Sequence, residues 1–196
     1  MQGATQQRGF GLIELIVTLV VLALMMAAAM PSIGNWMDNT RIRNAAESLS
    51  TGIQTARAEA VKRNERVSFW LVQLTDPAVL GNSCSQSATS GSWIVSVSGP
   101  DGHCADDPTA SGDDNSAGII TGRAIGSGGT HVNVSADSTY ITFNGFGRVA
   151  DSGSISTIKI KGNGTDTREL HVVVSTTGAV RMCDAAVTDS GDPRKC

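Results

Sequence analysis

The sequence has 196 residues, with 15 Lys or Arg against 18 Asp or Glu, so its formal net charge is −3 at pH 7. This slightly acidic balance excludes a chain that binds polyanions over its general surface. The length is sufficient for one anchor helix and one globular domain, because single domains usually contain about 100–150 residues.

Residues 1–9 are polar and end in Arg8-Gly9, immediately before an apolar stretch. A basic residue at this position keeps the preceding segment on the cytoplasmic side of a membrane. We interpret residues 1–9 as a leader that is removed by proteolysis.

Residues 10–30 form an apolar run in which Glu14 is the only charged residue. At about 1.5 Å rise per residue, a helix of this length crosses a hydrocarbon layer about 30 Å thick. We therefore predict a transmembrane helix over residues 10–30, with its N-terminus in the cytoplasm.

Glu14 is energetically unfavourable in such a helix, because insertion of a carboxylate into the membrane costs about 2.5–3.5 kcal/mol. If the peptide bond after Gly9 is cut, the new α-amino group of Phe10 is a cation one helical turn away. It can pair with Glu14 of the same chain or of a neighbour, most strongly where lipid or packed helices exclude water.

The run Gly9-Phe10-Gly11-Leu12-Ile13-Glu14-Leu15 resembles the class III signal of type IV pilins and type II secretion pseudopilins. The resemblance implies that a prepilin peptidase cuts between Gly9 and Phe10 and methylates the amino group of Phe10. It also implies that Glu14 neutralises the N-terminus of an adjacent subunit during assembly. Gly11 departs from the family, which commonly has threonine there.

Two other interpretations of this segment stay open. An ordinary secretory signal peptide has an uncharged core of about 7–15 residues before a small-x-small cleavage site. The run here is longer and carries Glu14 near its start. A simple anchor of an unrelated periplasmic protein explains the length of the run but not Glu14.

Pro31 follows the apolar run, and a proline removes a helix hydrogen bond and commonly bends the axis. Type IV pilins often have a proline at the equivalent position, so the resemblance implies a kink at Pro31. Over residues 31–65 we predict an amphipathic helix whose apolar side chains, spaced by three and four, pack on a sheet. These side chains are Ile42, Ala45 or Ala46, Leu49, Ile53, Ala56 and Ala60.

Residues 66–196 change to β-rich runs separated by Gly, Asn, Asp and Ser. The sequence predicts an α+β fold, in which the long N-terminal helix packs on an antiparallel β-sheet domain. The looser segments 75–92 and 99–117 are predicted to be surface loops. The predicted strands lie at residues 67–74, 93–97, 119–120, 132–134, 140–143, 155–160, 170–174 and 180–182.

The order of helix and strands resembles the GspH/FimT branch of minor pilins and pseudopilins. The order of four runs carries this resemblance: Ala56-Arg-Ala-Glu-Ala-Val-Lys-Arg-Asn64, Gly91-Ser-Trp-Ile-Val95, Ile141-Thr-Phe-Asn-Gly-Phe-Gly-Arg-Val149 and Val173-Val-Ser-Thr-Thr-Gly-Ala-Val-Arg181. The C-terminal tail resembles FimU/FimT-type pilus proteins more than the secretion pseudopilin. The resemblance implies the type IV pilin fold.

Cys84, Cys104, Cys183 and Cys196 all follow the apolar run. An even number of cysteines in an exported chain predicts two disulfides. Spacing favours Cys84–Cys104 and Cys183–Cys196, because each closes a short loop, although four cysteines allow three connectivities. A zinc site at His103 and Cys104 is the rival interpretation, but no Cys-x-x-Cys or His-x-x-x-His spacing supports it.

The sequence contains no recognised catalytic motif. His103, His131 and His171 lie far apart, and there is no nucleophile elbow, Walker loop or His-Glu-x-x-His. The glycines of 126–129 lack the lysine and the helix that follow a phosphate loop. We expect no enzymatic activity, no cofactor and no metal.

The resemblance implies a minor type IV pilin, a structural subunit in a tip or priming complex that supports pilus assembly, twitching motility or DNA uptake. Its expected partners are other major and minor pilins, the prepilin peptidase and the inner-membrane assembly platform. It would span the bacterial inner membrane once, with a periplasmic globular domain, before it enters the filament. A type II secretion minor pseudopilin is an alternative with the same N-terminal motif.

A DNA-binding role in natural transformation is a second alternative. Some FimT-type pilins bind DNA through a C-terminal Gly-Arg-x-Arg motif, whose positions here read Gly178-Ala179-Val180-Arg181. Of the two arginines of the motif, only Arg181 is present here. Arg194 and Lys195 add positive charge nearby if a Cys183–Cys196 disulfide folds the tail back. Phosphate binding needs several uncancelled cations. The acids that offset these cations are Asp184, Asp189 and Asp192.

Overall fold

The computed structural model describes residues 11–196 except 111, 127–128, 130 and 165–166, and no side chain of residues 27–33 is described. The predicted cleavage site at Gly9 and Phe10 lies outside this range. Helix α1 is assigned over Leu12–Arg63. Its bounds include Pro31, whose side chain is not described, so the kink stays a prediction. The chain divides into two compact units between Met37 and Asp38.

The described part of the first unit is helical from Leu12, and its apolar side chains over residues 12–26 are exposed. Within the described residues, no helix combines the length and the apolarity needed to span a membrane.

The second unit, Asp38–Cys196, contains the rest of α1 and, within its described residues, nine strands. The apolar helix residues spaced by three and four are buried, as the pattern predicts. Asn64, with φ of 53°, follows the last helical residue in the left-handed conformation that commonly ends helices. The buried helix side chains are Ile42, Ala45, Ala46, Leu49, Ile53, Ala56 and Ala60.

All nine strands of the described chain belong to two sheets, whose strand pairs are antiparallel. The strands are β1 Val67–Leu74, β2 Cys84–Gln86, β3 Ser92–Ser96, β4 Ile119–Arg123, β5 Val132–Ala136, β6 Tyr140–Phe143, β7 Thr157–Gly162, β8 Glu169–Val174 and β9 Val180–Asp184. In the first sheet, β3 pairs with β1 and β4, while β2 and β6 both pair with β1. The second sheet has the order β5-β7-β8-β9.

The predicted surface loops around Cys84 and Cys104 contribute a strand and buried side chains to the first sheet. Residues 84–86, predicted to be loop, form strand β2 because they pair with the end of β1, although they lack apolar alternation. Cys104 and Ala117 lie in a buried cluster on the far side of the first sheet from α1. The loops 75–92 and 99–117 thus help to bury that second face.

The main core lies between α1 and both sheets. Gly52 occupies the closest point, since a Cβ atom there would lie 2.7 Å from Phe69 Cε2 and 2.8 Å from Trp93 Cδ2. The two aromatic rings pack against each other with centroids 5.8 Å apart, and Trp93 Nε1 donates to Ser48 Oγ of the helix at 3.0 Å. A glycine that weakens the helix by about 1 kcal/mol relative to alanine therefore permits the helix–sheet contact.

We expect Gly52→Ala to lower the free energy of unfolding by about 1–2 kcal/mol, because overlap with two packed rings outweighs the gain in helix propensity. Chemical denaturation followed by circular dichroism measures the change. The exposed neighbour Thr51→Ala is the matched control and should be neutral or slightly stabilising. Equal or greater stability of Gly52→Ala would show that the helix is not held this closely.

Asp137 connects the end of β5 to the start of β7. Its carboxylate accepts hydrogen bonds from Ser156 N at 3.0 Å, from Ser156 Oγ at 2.5 Å and from Thr157 N at 3.3 Å. Partial burial raises the pKa of the Asp137 carboxyl, but these hydrogen bonds outweigh that effect and hold the pKa below its usual value of 3.8.

We expect Asp137→Asn to destabilise the fold by about 1 kcal/mol at pH 7, since the amide nitrogen cannot accept from Ser156 and the site is partly exposed. The lowered folded-state pKa means that the carboxylate stabilises the fold above about pH 4 and that this is lost as the pH falls below it. The difference in free energy of unfolding between wild type and Asp137→Asn, measured by chemical denaturation, should be smaller in acid than at pH 7. Asp113→Asn, at an exposed residue, should show no such trend.

Candidate functional site

Glu14 lies in the first turn of α1, and its side chain is exposed. Its backbone N–H donates to Gly11 O at 3.0 Å, and a helix N-terminus favours a carboxylate in this turn. No ion pair to Glu14 forms among the residues that the structure describes. The carboxylate is therefore available to a cation that this part of the chain does not supply.

The side chains around Glu14 are uncovered apolar groups. The large apolar residues of 12–26 are 44–78% exposed in the single chain. Such a surface is unfavourable in water and is covered by lipid or by other protein surfaces.

The C-terminal tail, residues 185–196, is the second candidate region. A disulfide joins Cys183 in β9 to Cys196, with Cα atoms 5.1 Å apart. Asp184 N donates to Arg194 O at 2.7 Å, and Asp184 and Lys195 form an isolated parallel bridge. The tail thus folds back along the edge of β9.

This arrangement brings the three predicted DNA contacts together. Arg181 Nη1 donates to Lys195 O at 3.0 Å. Arg194 donates from Nε and Nη2 to the Asp192 carboxylate, at 3.1 Å and 2.6 Å to Oδ1 and Oδ2. Two of the three cations are therefore held by acceptors of the tail itself.

Arg194 and Asp192 stabilise each other's charged form. The hydrogen bonds from Arg194 lower the pKa of Asp192 to about 2, and Asp192 raises the pKa of Arg194. Both groups remain ionised over the physiological range, so the positive charge of Arg194 is locally cancelled. The tail does not form the uncancelled cationic surface that phosphate binding requires.

Two further arginines, Arg43 of α1 and Arg168 before β8, reach the same region. With Arg194 they line a cavity of about 220 Å³ whose apolar lining includes Leu170 and Met182. Arg168 donates to Asp184, and Arg43 donates to Glu47 at 2.8 Å. Sequence reasoning missed Arg43 and Arg168, because they lie 125 positions apart and in different elements. Both partners are acids, so they offset the charges of Arg43 and Arg168.

The other predicted residues lie at the first sheet. Cys84 is bonded to Cys104, with Cα atoms 6.3 Å apart, so Cys104 offers no thiolate to a metal beside His103. His103 Nδ1 is 3.0 Å from Asp106 Oδ2, and Ser116 Oγ is 3.3 Å from that same nitrogen and 3.5 Å from His103 Nε2. Ser116 thus lies closer to the nitrogen that faces the acid, whereas in a Ser-His-Asp triad the serine is bonded to the opposite nitrogen.

Comparison with known families identifies the chain. Residues 45–178, more than half of the sequence, match the family described as type II transport protein GspH. The chain belongs to the GspH family. Residues 5–30 of this GspH-family protein also match the prokaryotic N-terminal methylation motif. Together the matches confirm the predicted GspH/FimT-type pilin, and the family is one of structural pilins. The helix packed on antiparallel sheets confirms the predicted α+β fold.

The chain is also similar to two crystal structures of the type IV minor pilin FimU from Pseudomonas aeruginosa strain PAO1. The first is 16% identical, covers 75% of this chain and 91% of the FimU chain, and has a TM-score of 0.47. The second is 16% identical, covers 71% and 90%, and has a TM-score of 0.43. No curated protein matches the sequence significantly.

Proposed function

We propose that this GspH-family protein is a minor type IV pilin, a structural subunit that supports assembly of the pilus from its tip or priming complex. The observation that carries the proposal is the combination, in one chain, of the GspH match over residues 45–178 with the N-terminal methylation motif over residues 5–30. The GspH match covers most of the globular domain, and the methylation motif covers the segment by which such subunits are processed and assembled.

The N-terminal segment acts in two stages. Before assembly, residues 10–30 anchor the protein once in the bacterial inner membrane, with the N-terminus in the cytoplasm and the globular domain in the periplasm. The prepilin peptidase cuts between Gly9 and Phe10 and methylates Phe10. The presence of two disulfides in the globular domain supports an oxidising compartment for it.

During assembly, apolar helices of many subunits replace lipid as the surroundings of residues 10–30. The exposed row of apolar side chains over residues 12–26 supports this exchange, because one apolar environment is substituted for another. The exchange alone does not fix the axial position of a subunit in the filament. Glu14 fixes this position by pairing with the amino group of Phe10 on an adjacent subunit. The assembly platform and other pilins are the partners in this step.

A type II secretion minor pseudopilin is the second candidate function, and the description of the matched family favours it. Crosslinking from the β domain in the native host, followed by mass spectrometry, separates the two functions. Capture of other minor pilins supports the pilus role. Capture of type II secretion components supports the pseudopilus role instead.

We expect Glu14→Ala to leave membrane insertion unchanged but to reduce the protein in sheared pili by at least about tenfold. The reason is that a buried charge left without its partner costs about 3–5 kcal/mol. Quantitative immunoblots of the membrane and pilus fractions measure the two quantities.

Glu47→Ala is the matched control for this experiment. Glu47 is an exposed acid of the same helix whose pair with Arg43 lies on the surface, where such pairs contribute little. This variant should enter pili at the wild-type level. Incorporation of Glu14→Ala at that same level would contradict the proposed register role.

We expect no gel shift of duplex DNA by the purified full-length protein in detergent, even at low salt. Arg181 and Arg194 donate to acceptors of the tail, and Asp192 cancels the charge of Arg194. The assay is run over a series of salt concentrations with Arg181→Ala in parallel. A complex that forms at low salt and is lost in Arg181→Ala would establish the DNA-binding role instead.

A further inference from the structure

His171 and Cys183 lie directly opposite each other on neighbouring strands β8 and β9. Along β8, Leu170 and Val172 are buried in the core, whereas His171 between them is half-buried. Successive side chains point to opposite faces of a sheet. His171 therefore lies on the face away from the core, and the register places Cys183 on that same face.

Cys183 is nevertheless only 2% exposed. The tail covers it, because the disulfide and the hydrogen bond from Asp184 N to Arg194 O hold residues 185–196 against β9. The fold thus places a second sulfur, that of the exposed Cys196, beside His171.

One ring nitrogen of His171 and the two sulfurs lie within 4.8 Å of one another. No other group of three or more His, Cys, Asp or Glu residues approaches this arrangement in the described part of the chain. In tetrahedral zinc sites, with Zn–S near 2.3 Å and Zn–N near 2.0 Å, the ligand atoms lie about 3.5–3.8 Å apart. Once the disulfide bond is absent, a small movement of exposed Cys196 reaches these separations.

Glu169 is bonded to the ring of His171, with its Oε1 2.8 Å from Nε2. With a metal bound at Nδ1, this carboxylate would fix the orientation of the ring, as carboxylates do for many zinc-binding histidines. Lys159 and Lys161 of β7 lie opposite His171 and Glu169, and Arg181 donates to Cys196 O at 3.4 Å. Two thiolates and Glu169 offset these three positive charges.

We propose that Cys183, Cys196 and His171 bind Zn²⁺ in the chain whose tail thiols have not yet been oxidised. Zinc binding and the Cys183–Cys196 disulfide are then alternative closures of the same tail loop. The cysteines are synthesised as thiols, so the zinc form requires no reductant. Three protein ligands leave a fourth position to water.

The two closures are linked by a balanced exchange. Zinc binding removes the two thiol protons and leaves both sulfurs reduced. A disulfide oxidant such as oxidised glutathione takes two electrons from the two thiolates, so that the Cys183–Cys196 bond forms and Zn²⁺ leaves. The oxidant takes up two protons from water and departs as two thiols.

The test is a Co²⁺ titration of the full-length protein in detergent after reduction with a phosphine. We expect one equivalent to bind, with thiolate-to-cobalt charge-transfer bands and the visible bands of tetrahedral cobalt, and one equivalent of Zn²⁺ to displace it. His171→Ala should weaken binding by at least about tenfold, and Glu169→Gln by about ten- to a hundredfold. His131→Ala, at an exposed histidine outside the group, is the matched control and should change nothing.

Reduction also opens Cys84–Cys104, so the titration is repeated on Cys84→Ala with Cys104→Ala, where binding should persist. If this variant fails to fold by circular dichroism, His171→Ala in the wild-type background still decides the question. Unchanged binding in His171→Ala, or no tetrahedral bands in the reduced wild type, would overturn the site.

A second readout tests the alternative closure. Oxidised glutathione should form the Cys183–Cys196 bond several-fold more slowly with Zn²⁺ present than without it, as measured by mass spectrometry of alkylated samples. The His171→Ala variant should lose this protection. An unchanged rate in the wild type would mean that zinc and the disulfide do not compete.

Discussion

The close packing of α1 on the two sheets is the contact on which the globular domain depends. The buried helix face is rich in alanine and contains Gly52, so Phe69 and Trp93 occupy the space that a larger side chain would fill. One buried cluster takes residues from the helix and from both sheets. The helix therefore joins two separately hydrogen-bonded sheets into a single core, and the loops around Cys84–Cys104 can bury the opposite face of the first sheet.

Apolar surface is distributed in two contrasting ways along the chain. Within Asp38–Cys196 the apolar face of the helix is buried by the chain itself. Over residues 12–26 the apolar side chains stay exposed, and Glu14 among them has no cation among the described residues. The globular domain buries its own apolar surface, whereas the apolar side chains over residues 12–26 remain exposed. This combination is the physical basis of a subunit that assembles.

The C-terminal tail, residues 185–196, determines the burial and the hydrogen-bond partners of nearby residues. It covers Cys183 on the outer face of the second sheet and supplies acceptors to Arg181 and Arg194. Two of the three cations that were candidates for binding DNA, Arg181 and Arg194, become part of the internal bonding of the tail. The same folding places two sulfurs beside His171, which the spacing of residues along the chain gives no reason to expect.

The motif from Gly9 to Leu15, the buried helix face and the α+β class could be predicted from the sequence, because these depend on local spacing and periodicity. The sequence also favoured the disulfide pairing that the structure contains, since short loops close easily. Three other features became visible in the folded chain alone: residues 84–86 form a strand, Arg43 and Arg168 share a cavity, and His171 faces Cys183. These features arise from strand register and long-range packing, which bring together residues whose separation in sequence carries no periodic signal.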